Sequence, residues 1–399
     1  MKRVTFGIRP ALPALIIATC LLNGIGCAQH LQESPVPPPR SAAADVYNSL
    51  VLLYGDPHVH TNLSDGDESP DYALRYARDV AALDWCCLTD HSEDMAEDGW
   101  VALDYYRSLP AKYDKPGQFC VLFGYEWTYL VYGHRNIYSA SAAIPVVSWD
   151  DPRYDDPTKL WKALEGYDVI TVPHHPMLDM PKPWWQYINP AMDTCVEFYS
   201  KWGMSLYDGN DRPILDSRPE YSVYSAVADE GLRLGFMAGS DTHISRPGSV
   251  IGESRQAESL EYSRPGLTAV WATSYTRQAI FEALKARHCY GVTGTRVMLK
   301  FAVNGHMMGS ETSSEGPPAL EYEASSDVRI DTISVMKIHD GTVEEVLTIP
   351  VDDLACQDTY VDNEFADDSA YFITVLLENT DMAVCSPVWV EKVHSGDVI

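Results

Sequence analysis

Short apolar runs alternate with stretches of helical periodicity from about residue 50 to residue 290. The runs stand near Val51 and at Asp84–Leu88, Phe119–Tyr125, Ile137–Ala140, Val169–Val172, Cys195–Tyr199, Gly235–Ala238 and Leu267–Ala272, each short enough for a buried strand. Ser69, Pro70 and Asp71 supply an N-cap, a proline for the first helical position and an acid for the first turn. Tyr72, Tyr76 and Val80 recur at helical spacing behind them, with Ala73 and Ala77 alongside. Thr276 opens another helix, with Ile280, Phe281 and Leu284 as its apolar face. Such alternation predicts an α/β fold with a parallel sheet or barrel. After about Thr295 the pattern changes to strand-like runs alone: Val297–Val303, Leu320–Ala324, Ile330–Ile338, Val346–Val351, Tyr371–Leu377 and Val388–Val390. Turns rich in Gly, Asp, Asn and Ser separate them, which predicts a C-terminal all-β, sandwich-like domain over residues 296–399.

The start of the chain reads differently. Lys2, Arg3 and Arg9 precede a mostly apolar stretch, Ala11–Leu22, the pattern of an export signal over residues 1–26 and too short for a comfortable membrane span. Gly24-Ile25-Gly26-Cys27 resembles a bacterial lipobox, with Gly24 where that pattern prefers Leu. A lipid on Cys27 would tie an exported protein to the cell envelope, in the periplasm or on the outer membrane; plain secretion is the alternative. Residues 27–48, with Pro35, Pro37, Pro38 and Pro39, read as an extended tether, which leaves 49–295 for the βα unit.

A length of 399 residues suits two domains, and 46% hydrophobic residues suffice for a packed core. The net charge of -28 argues against nucleic acid as a partner, since phosphate backbones need Lys and Arg to neutralise them. Anionic small substrates stay admissible, because bound cations reverse a local potential. Among the nine cysteines, Cys86 and Cys87 read as small buried hydrophobes, and Cys356 and Cys385 are a candidate disulfide in an exported protein.

The histidines carry the chemistry. Alternate residues of a strand share a face, so His58 and His60, after the run at Leu50–Tyr54, aim two imidazoles into one place. Asp241 and His243 repeat the arrangement after Leu234–Ala238. His91, His134, His174 and His175 each stand beside a strand-like run, and Glu126 ends the run Val121–Tyr125, where a buried carboxylate needs a partner. Separate polar strand caps would explain one such residue; seven histidines joined by Asp65, Glu126 and Asp241 point to a metal site. Mixed imidazole and carboxylate ligands suit Zn, Mn or Fe. His30, His288, His306, His339 and His394 lie outside this pattern.

The string His58-Val59-His60-Thr61-Asn62-Leu63-Ser64-Asp65, then Thr89-Asp90-His91, Gly124-Tyr125-Glu126, His174-His175-Pro176 and Ser240-Asp241-Thr242-His243, resembles the PHP (polymerase and histidinol phosphatase) metallohydrolases in order and spacing. Gly266–Ala272, Thr276–Arg287 and Tyr290–Arg296 look like the branch that contains carbaryl-hydrolase-type enzymes. The resemblance implies a distorted (β/α)7 barrel with two or three divalent metals. It assigns His58, His60, Glu126 and Asp241 to one metal and Asp65, His91 and His243 to a second. A third would take Glu126 as a bridge, His134 and one of His174 and His175. The family usually has a single His before Pro, which favours His175 and leaves His174 as an alternative ligand or a donor to substrate. Asp90 would orient a ligand from behind. Arg246 is a candidate clamp for an anionic group or a surface ion pair, Arg296 a weaker one, and Arg135 faces away if its segment is a strand. Trp184, Trp185 and Tyr187 either wall a pocket or fold onto themselves.

The reading that follows is a metal-dependent hydrolase of a small-molecule substrate, anionic ones included. Phosphoester hydrolysis is what the resemblance most commonly implies, and carbamate, ester or amide hydrolysis is the alternative from the branch. With 10 Trp and 24 Tyr, a non-catalytic surface lipoprotein that captures glycans is the rival of another class.

Overall fold

The computed structural model describes residues 46–97, 102–129, 131–178, 184–214, 217–249 and 264–394, and the chain from Arg40 onward forms one compact unit. The export signal, Cys27 and nearly all of the tether lie outside the described residues. The tether ends early: Tyr47 is buried, donates to the Phe301 carbonyl (2.7 Å) and packs edge-on against Trp271. No described helix is long and apolar enough to cross a membrane.

The first part of the unit runs β1 (Val51–Asp56), α1 (Pro70–Asp79), β2 (Trp85–Cys87), α2 (Ser92–Glu97), α3 (Leu103–Tyr113), β3 (Cys120–Tyr129), β4 (Gly133–Ser139), α4 (Pro157–Leu164), β5 (Ile170–Pro173), β6 (Cys195–Ser200), β7 (Gly203–Met204), α5 (Val223–Ala228), β8 (Gly235–Ala238), β9 (Leu267–Ala272), α6 (Arg277–Lys285) and β10 (Cys289–Val292). Both expected helix starts are present: the Ser69 hydroxyl accepts from Tyr72 N–H, and the Thr276 hydroxyl from Ala279 N–H. In α6 the buried face includes Ile280, Phe281 and Leu284, as its periodicity predicts. In α1 the stripe is rotated. Ala73, Leu74 and Ala77 face the core, Tyr72 and Tyr76 stay half-buried, and Val80 is 65% exposed. Small side chains let the helix lie close on the sheet, while the tyrosines keep their hydroxyls near water.

The fold is mixed α/β and sheet-rich, and among the described residues its ladders do not close into a barrel. β1, β2 and β3 are parallel, but β3–β4, β4–β5, β1–β9 and β9–β10 are antiparallel. β6, β7 and β8 form a separate small sheet. Single bridges, His174 to Glu197 and Val59 to Thr242, join the two at the ends of β5 and β1. The expected all-parallel βα alternation fails first at β3–β4, where a tight turn replaces the crossover that parallel pairing needs.

The described residues from 297 to 394 contain strands and no helix: β11 (Val297–Val303), β12 (His306–Met307), β13 (Glu311–Ser314), β14 (Ala319–His339), β15 (Thr342–Val361), β16 (Ser369–Leu377), β17 (Met382–Cys385) and β18 (Val388–Lys392). β14 pairs with β11 along its first half and with β16 along its second, across register shifts near Ile330. Such a change of partner turns a corner between sheets. The strand-only region is also stitched to the first part. β17 pairs with β10 (Tyr290 opposite Cys385), and the buried Arg212–Asp381 ion pair closes at 3.1 Å. The candidate disulfide is not formed; every described cysteine is a free thiol. Cys356 in β15 stands opposite Ala324, in the half of β14 that pairs with β11, whereas Cys385 lies in β17, which pairs with β10 and β16. Cys86 and Cys87 are fully buried, as their apolar surroundings suggest.

Candidate metal centre

Seven stretches of chain deliver the candidate ligands to one place. His58 and His60 follow β1, Asp65 follows them, His91 follows β2, Glu126 sits within β3, His134 in β4, His174 and His175 after β5, and Asp241 and His243 after β8. β3 continues past Glu126 to Tyr129 because it forms a hairpin with β4, which sets His134 opposite Thr128. Asp56, at the end of β1, accepts from the backbone N–H groups of His58, Ser240 and Gly248, so one buried carboxylate ties the first ligand loop to the last.

Four donor atoms converge first. His58 Nε2 lies 3.1 Å from His60 Nε2, 3.1 Å from Glu126 Oε2 and 3.4 Å from Asp241 Oδ1. His60 Nε2 lies 3.4 Å from the same Glu126 oxygen and 3.3 Å from the same Asp241 oxygen. With metal–ligand bonds of roughly 2.1 Å, neighbouring ligands in a tetrahedral or octahedral shell stand roughly 3.0–3.4 Å apart. The four atoms therefore have the spacing of a coordination shell. A second group gathers around Asp65: its Oδ1 is 3.5 Å from His60 Nδ1 and from His91 Nε2, and its Oδ2 is 3.1 Å from His243 Nε2. In the third, the other Glu126 oxygen, Oε1, lies 3.0 Å from His134 Nδ1 and 3.3 Å from His174 Nε2. The His175 ring packs 4.8 Å from that of His134 and 4.4 Å from that of His174.

These side chains do not satisfy one another as an ordinary polar core does. His60 Nδ1, His134 Nε2, both nitrogens of His174 and His175 Nδ1 are buried with no hydrogen-bond partner among the described residues. Orphaned buried imidazole nitrogens facing shared carboxylate oxygens are what a cation site needs. Burial alone would raise the Glu126 carboxyl, but the imidazoles of His91, His174 and His134 hold it well below the usual range. Burial pushes His174 down to about 4, which leaves a neutral imidazole. The residues present fit divalent cations.

The histidine pair departs from strand geometry. Alternation along β5, with the extended backbone favoured before Pro176, would turn the two rings to opposite faces. β5 instead ends at Pro173, His174 bridges to Glu197, and His175 adopts φ +34°. That kink brings both rings to the same side. Asp241 is also left-handed, at φ +56°. Such strained backbone at non-glycine positions gathers at functional sites.

Other candidates fall elsewhere. Asp90 accepts from Thr61 N–H (2.7 Å), the Thr61 hydroxyl (2.9 Å) and the Ser64 hydroxyl (2.8 Å), so it pins the loop that carries Asp65 rather than a ligand ring. Arg246 is exposed, and no described hydrogen bond or ion pair carries its side chain into the cluster. Arg135 points away and lies 3.6 Å from buried Asp193. Arg296 donates to the carbonyls of Ala81 and Ala82. Trp185 is buried and Tyr187 packs edge-on against Tyr132 of the β3–β4 turn; the Trp184 side chain lies outside the described residues.

Two groups at the site were not singled out from the sequence. Glu197, buried in β6, sets its two oxygens 3.1 and 3.3 Å from His58 Nδ1. Burial raises its carboxyl to about 7, against the pull of the His58 imidazole. A carboxylate behind a ligand histidine fixes the tautomer and turns Nε2 toward the other ligands. The approach is close: a Cβ on Gly239 would stand 2.5 Å from Glu197 Oε2 and 2.7 Å from His58 Cβ. An acid inside an otherwise apolar strand was the available signal, the same one that marks Glu126. The second group is Lys201, whose ammonium touches His243 Nδ1.

A family model described as a protein of unknown function (DUF3604) matches residues 228–326. The chain is 25% identical over 366 residues to an uncharacterised protein of Chlamydia pneumoniae and 27% identical over 368 residues to one of Chlamydia muridarum, with 85% of this chain covered in each case. The chain spans 57% of the length of these curated relatives. Among solved structures it is similar to a two-domain protein of Bacteroides vulgatus, described as containing a predicted PHP-like metal-dependent phosphoesterase. That match has 16% identity and a TM-score of 0.45, and covers 86% of this chain and 96% of the other. The lesion-specific endonuclease PfuEndoQ of Pyrococcus furiosus matches at 11% identity and a TM-score of 0.37, over 59% of this chain and 56% of the other.

Proposed function

We propose that this chain is a metal-dependent hydrolase, with phosphoesters as its substrate class. The observation that carries the proposal is the ring of donor atoms around Glu126 and Asp241 at coordination spacing, with orphaned buried imidazole nitrogens beside it. In this reading Glu126 would help to hold cations on two sides, its Oε2 together with His58 and His60 and its Oε1 together with His134 and His174. Divalent cations bound there would supply a water acidic enough to ionise near neutral pH and positive charge for the oxygens that become negative.

The chain's own groups set the rest. Glu197 holds the proton on His58 Nδ1. Asp56 and Asp90 fix the loops that carry His58, Asp65 and Asp241. The side chains of His58 and Glu126 are 0% and 2% exposed, whereas Asp65 is 49% and His243 23% exposed, so the site opens on the Asp65–His243 side. The same reading keeps the site within residues 49–295, as a distorted relative of the (β/α)7 arrangement whose last closures are single bridges.

Protein purified without chelator should contain at least two transition-metal ions per chain and should hydrolyse 4-nitrophenyl phosphate or bis(4-nitrophenyl) phosphate. Turnover of 4-nitrophenyl acetate or an aryl carbamate with no phosphoester activity would move the assignment to the alternative chemistry. Elemental analysis showing no metal, together with no turnover, would leave only the glycan-binding reading.

A further inference from the structure

We propose that Thr128 is a positioning residue that joins two parts of the metal centre: its hydroxyl holds a hydrogen on His91 Nδ1 and anchors the Glu126 carboxylate, so that both are set before a cation arrives. The inference deepens the hydrolase reading and rests on it for the role of the cations.

β3 runs on past Glu126 in its hairpin with β4, and Thr128, two residues further along, shares the face of Glu126. Thr128 is buried, and its hydroxyl donates to Glu126 Oε1 at 2.7 Å while it touches His91 Nδ1. The two residues it joins belong to different groups of potential ligands: Glu126 stands with His58 and His174, and His91 with His60, Asp65 and His243. Their backbones are already side by side, since Glu126 N–H donates to the Asp90 carbonyl at 3.1 Å. Their functional ends are too far apart to bond directly. His91 Nδ1 lies 3.6 Å from Glu126 Oε1 and 3.8 Å from Glu93 Oε1. The hydroxyl fills that gap.

The hydrogens fix the direction of this short chain. A threonine hydroxyl has a single hydrogen, and an ionised carboxylate only accepts, so that hydrogen goes to Glu126 Oε1. The hydroxyl oxygen then offers His91 nothing but a lone pair, and Nδ1 must be the donor. A hydrogen on Nδ1 leaves Nε2, 3.5 Å from Asp65 Oδ1, to give its lone pair to a cation. At the other end the bond takes up one lone pair of Oε1 and leaves the second for the side of His134 Nδ1 and His174 Nε2, 3.0 and 3.3 Å away. His91 and Glu126 therefore cannot turn independently, and ordering one orders the other.

The test titrates zinc into metal-free wild type, Thr128→Val and Thr128→Ser. Valine keeps the branched shape that suits a strand and lacks the hydroxyl; serine keeps the hydroxyl. Thr128→Ala takes the place of the valine variant if circular dichroism shows that the latter does not fold. Thr128→Val should bind zinc about 10- to 100-fold more weakly, the usual cost of losing a group behind a ligand, and reach wild-type stoichiometry at saturation. Thr128→Ser should recover most of the loss. In zinc-loaded protein with isotope-labelled histidine, the His91 Nδ1 hydrogen should exchange slowly with water in the wild type and the serine variant and fast in the valine variant; His91→Gln identifies its signal. Unchanged zinc affinity in Thr128→Val would overturn the proposal, as would a serine variant as weak as the valine one, equally slow exchange in all three, or no zinc bound by the wild type. Zinc binding and exchange that both follow the hydroxyl, with no ester hydrolysed, would sink the hydrolase reading and leave this one standing. Hydrolysis with zinc affinity indifferent to the hydroxyl would do the reverse.

Discussion

Replacing Glu126 with glutamine should abolish activity, with a drop on the order of 10³ or more in turnover and at least about 100-fold weaker metal binding. The two oxygens of Glu126 face different imidazole pairs: Oε2 toward His58 and His60, Oε1 toward His134 and His174. Glutamine keeps the shape but has one oxygen and one NH2 group. Whichever way it turns, one pair meets a donor where it met an acceptor, and no negative charge remains to hold two cations near each other. The metal-free fold should survive, because the neutral amide is easier to bury than the carboxylate it replaces. Metal stoichiometry, turnover and circular dichroism on the same preparation decide the matter. Wild-type activity in Glu126→Gln would mean that the carboxylate does not bridge.

His174→Ala should cost more than His175→Ala. His174 belongs to two clusters of possible ligands, one with His58 and Glu126 and one with His134 and His175, whereas His175 belongs to the second alone. Removing His174 should cost about one metal equivalent per chain and most of the turnover. Removing His175 should weaken the same position by about 10-fold while leaving full occupancy at saturating metal. This reverses the order suggested by the single His before Pro in the resemblance. Metal titrations of the two variants separate the cases: if His175 controls stoichiometry, His174 is a substrate or positioning group.

Most of the cluster that the structure gathers was legible because it is written in local patterns. His58 and His60, or Asp241 and His243, sit two apart at the ends of apolar runs, and side-chain alternation brings each pair together without knowledge of the rest. The helix starts at Ser69 and Thr276 were legible for the same reason, since capping is a local act. Residues whose role depends on a distant partner were not. Glu197 has no spacing relation to His58; the pairing of β6 with β8 and the turn after β8, whose Asp241 N–H donates to the His58 carbonyl, bring them together. Lys201 looks like any surface lysine until the Ser240 loop is placed beside it. The His175 backbone was misjudged because a rule for extended chain was carried past the point where β5 stops. The parallel barrel expected from βα alternation met a β3–β4 turn too short to hold a crossover, and apolar periodicity does not report strand direction.

The ladder between β10 and β17 makes the change of pattern near Thr295 a poor place to cut. β10 lends one edge to β9 and the other to β17, and Asp381 beside β17 holds both Arg212 and Arg264. A chain ended after β10 would expose a row of unpaired backbone groups and remove the counter-charge of Arg212. Open strand edges recruit other strand edges. Such a fragment, residues 46–295, should elute from a sizing column as aggregates rather than as a smaller enzyme. A monodisperse, metal-binding fragment would show instead that the metal centre and the strand-only region fold apart.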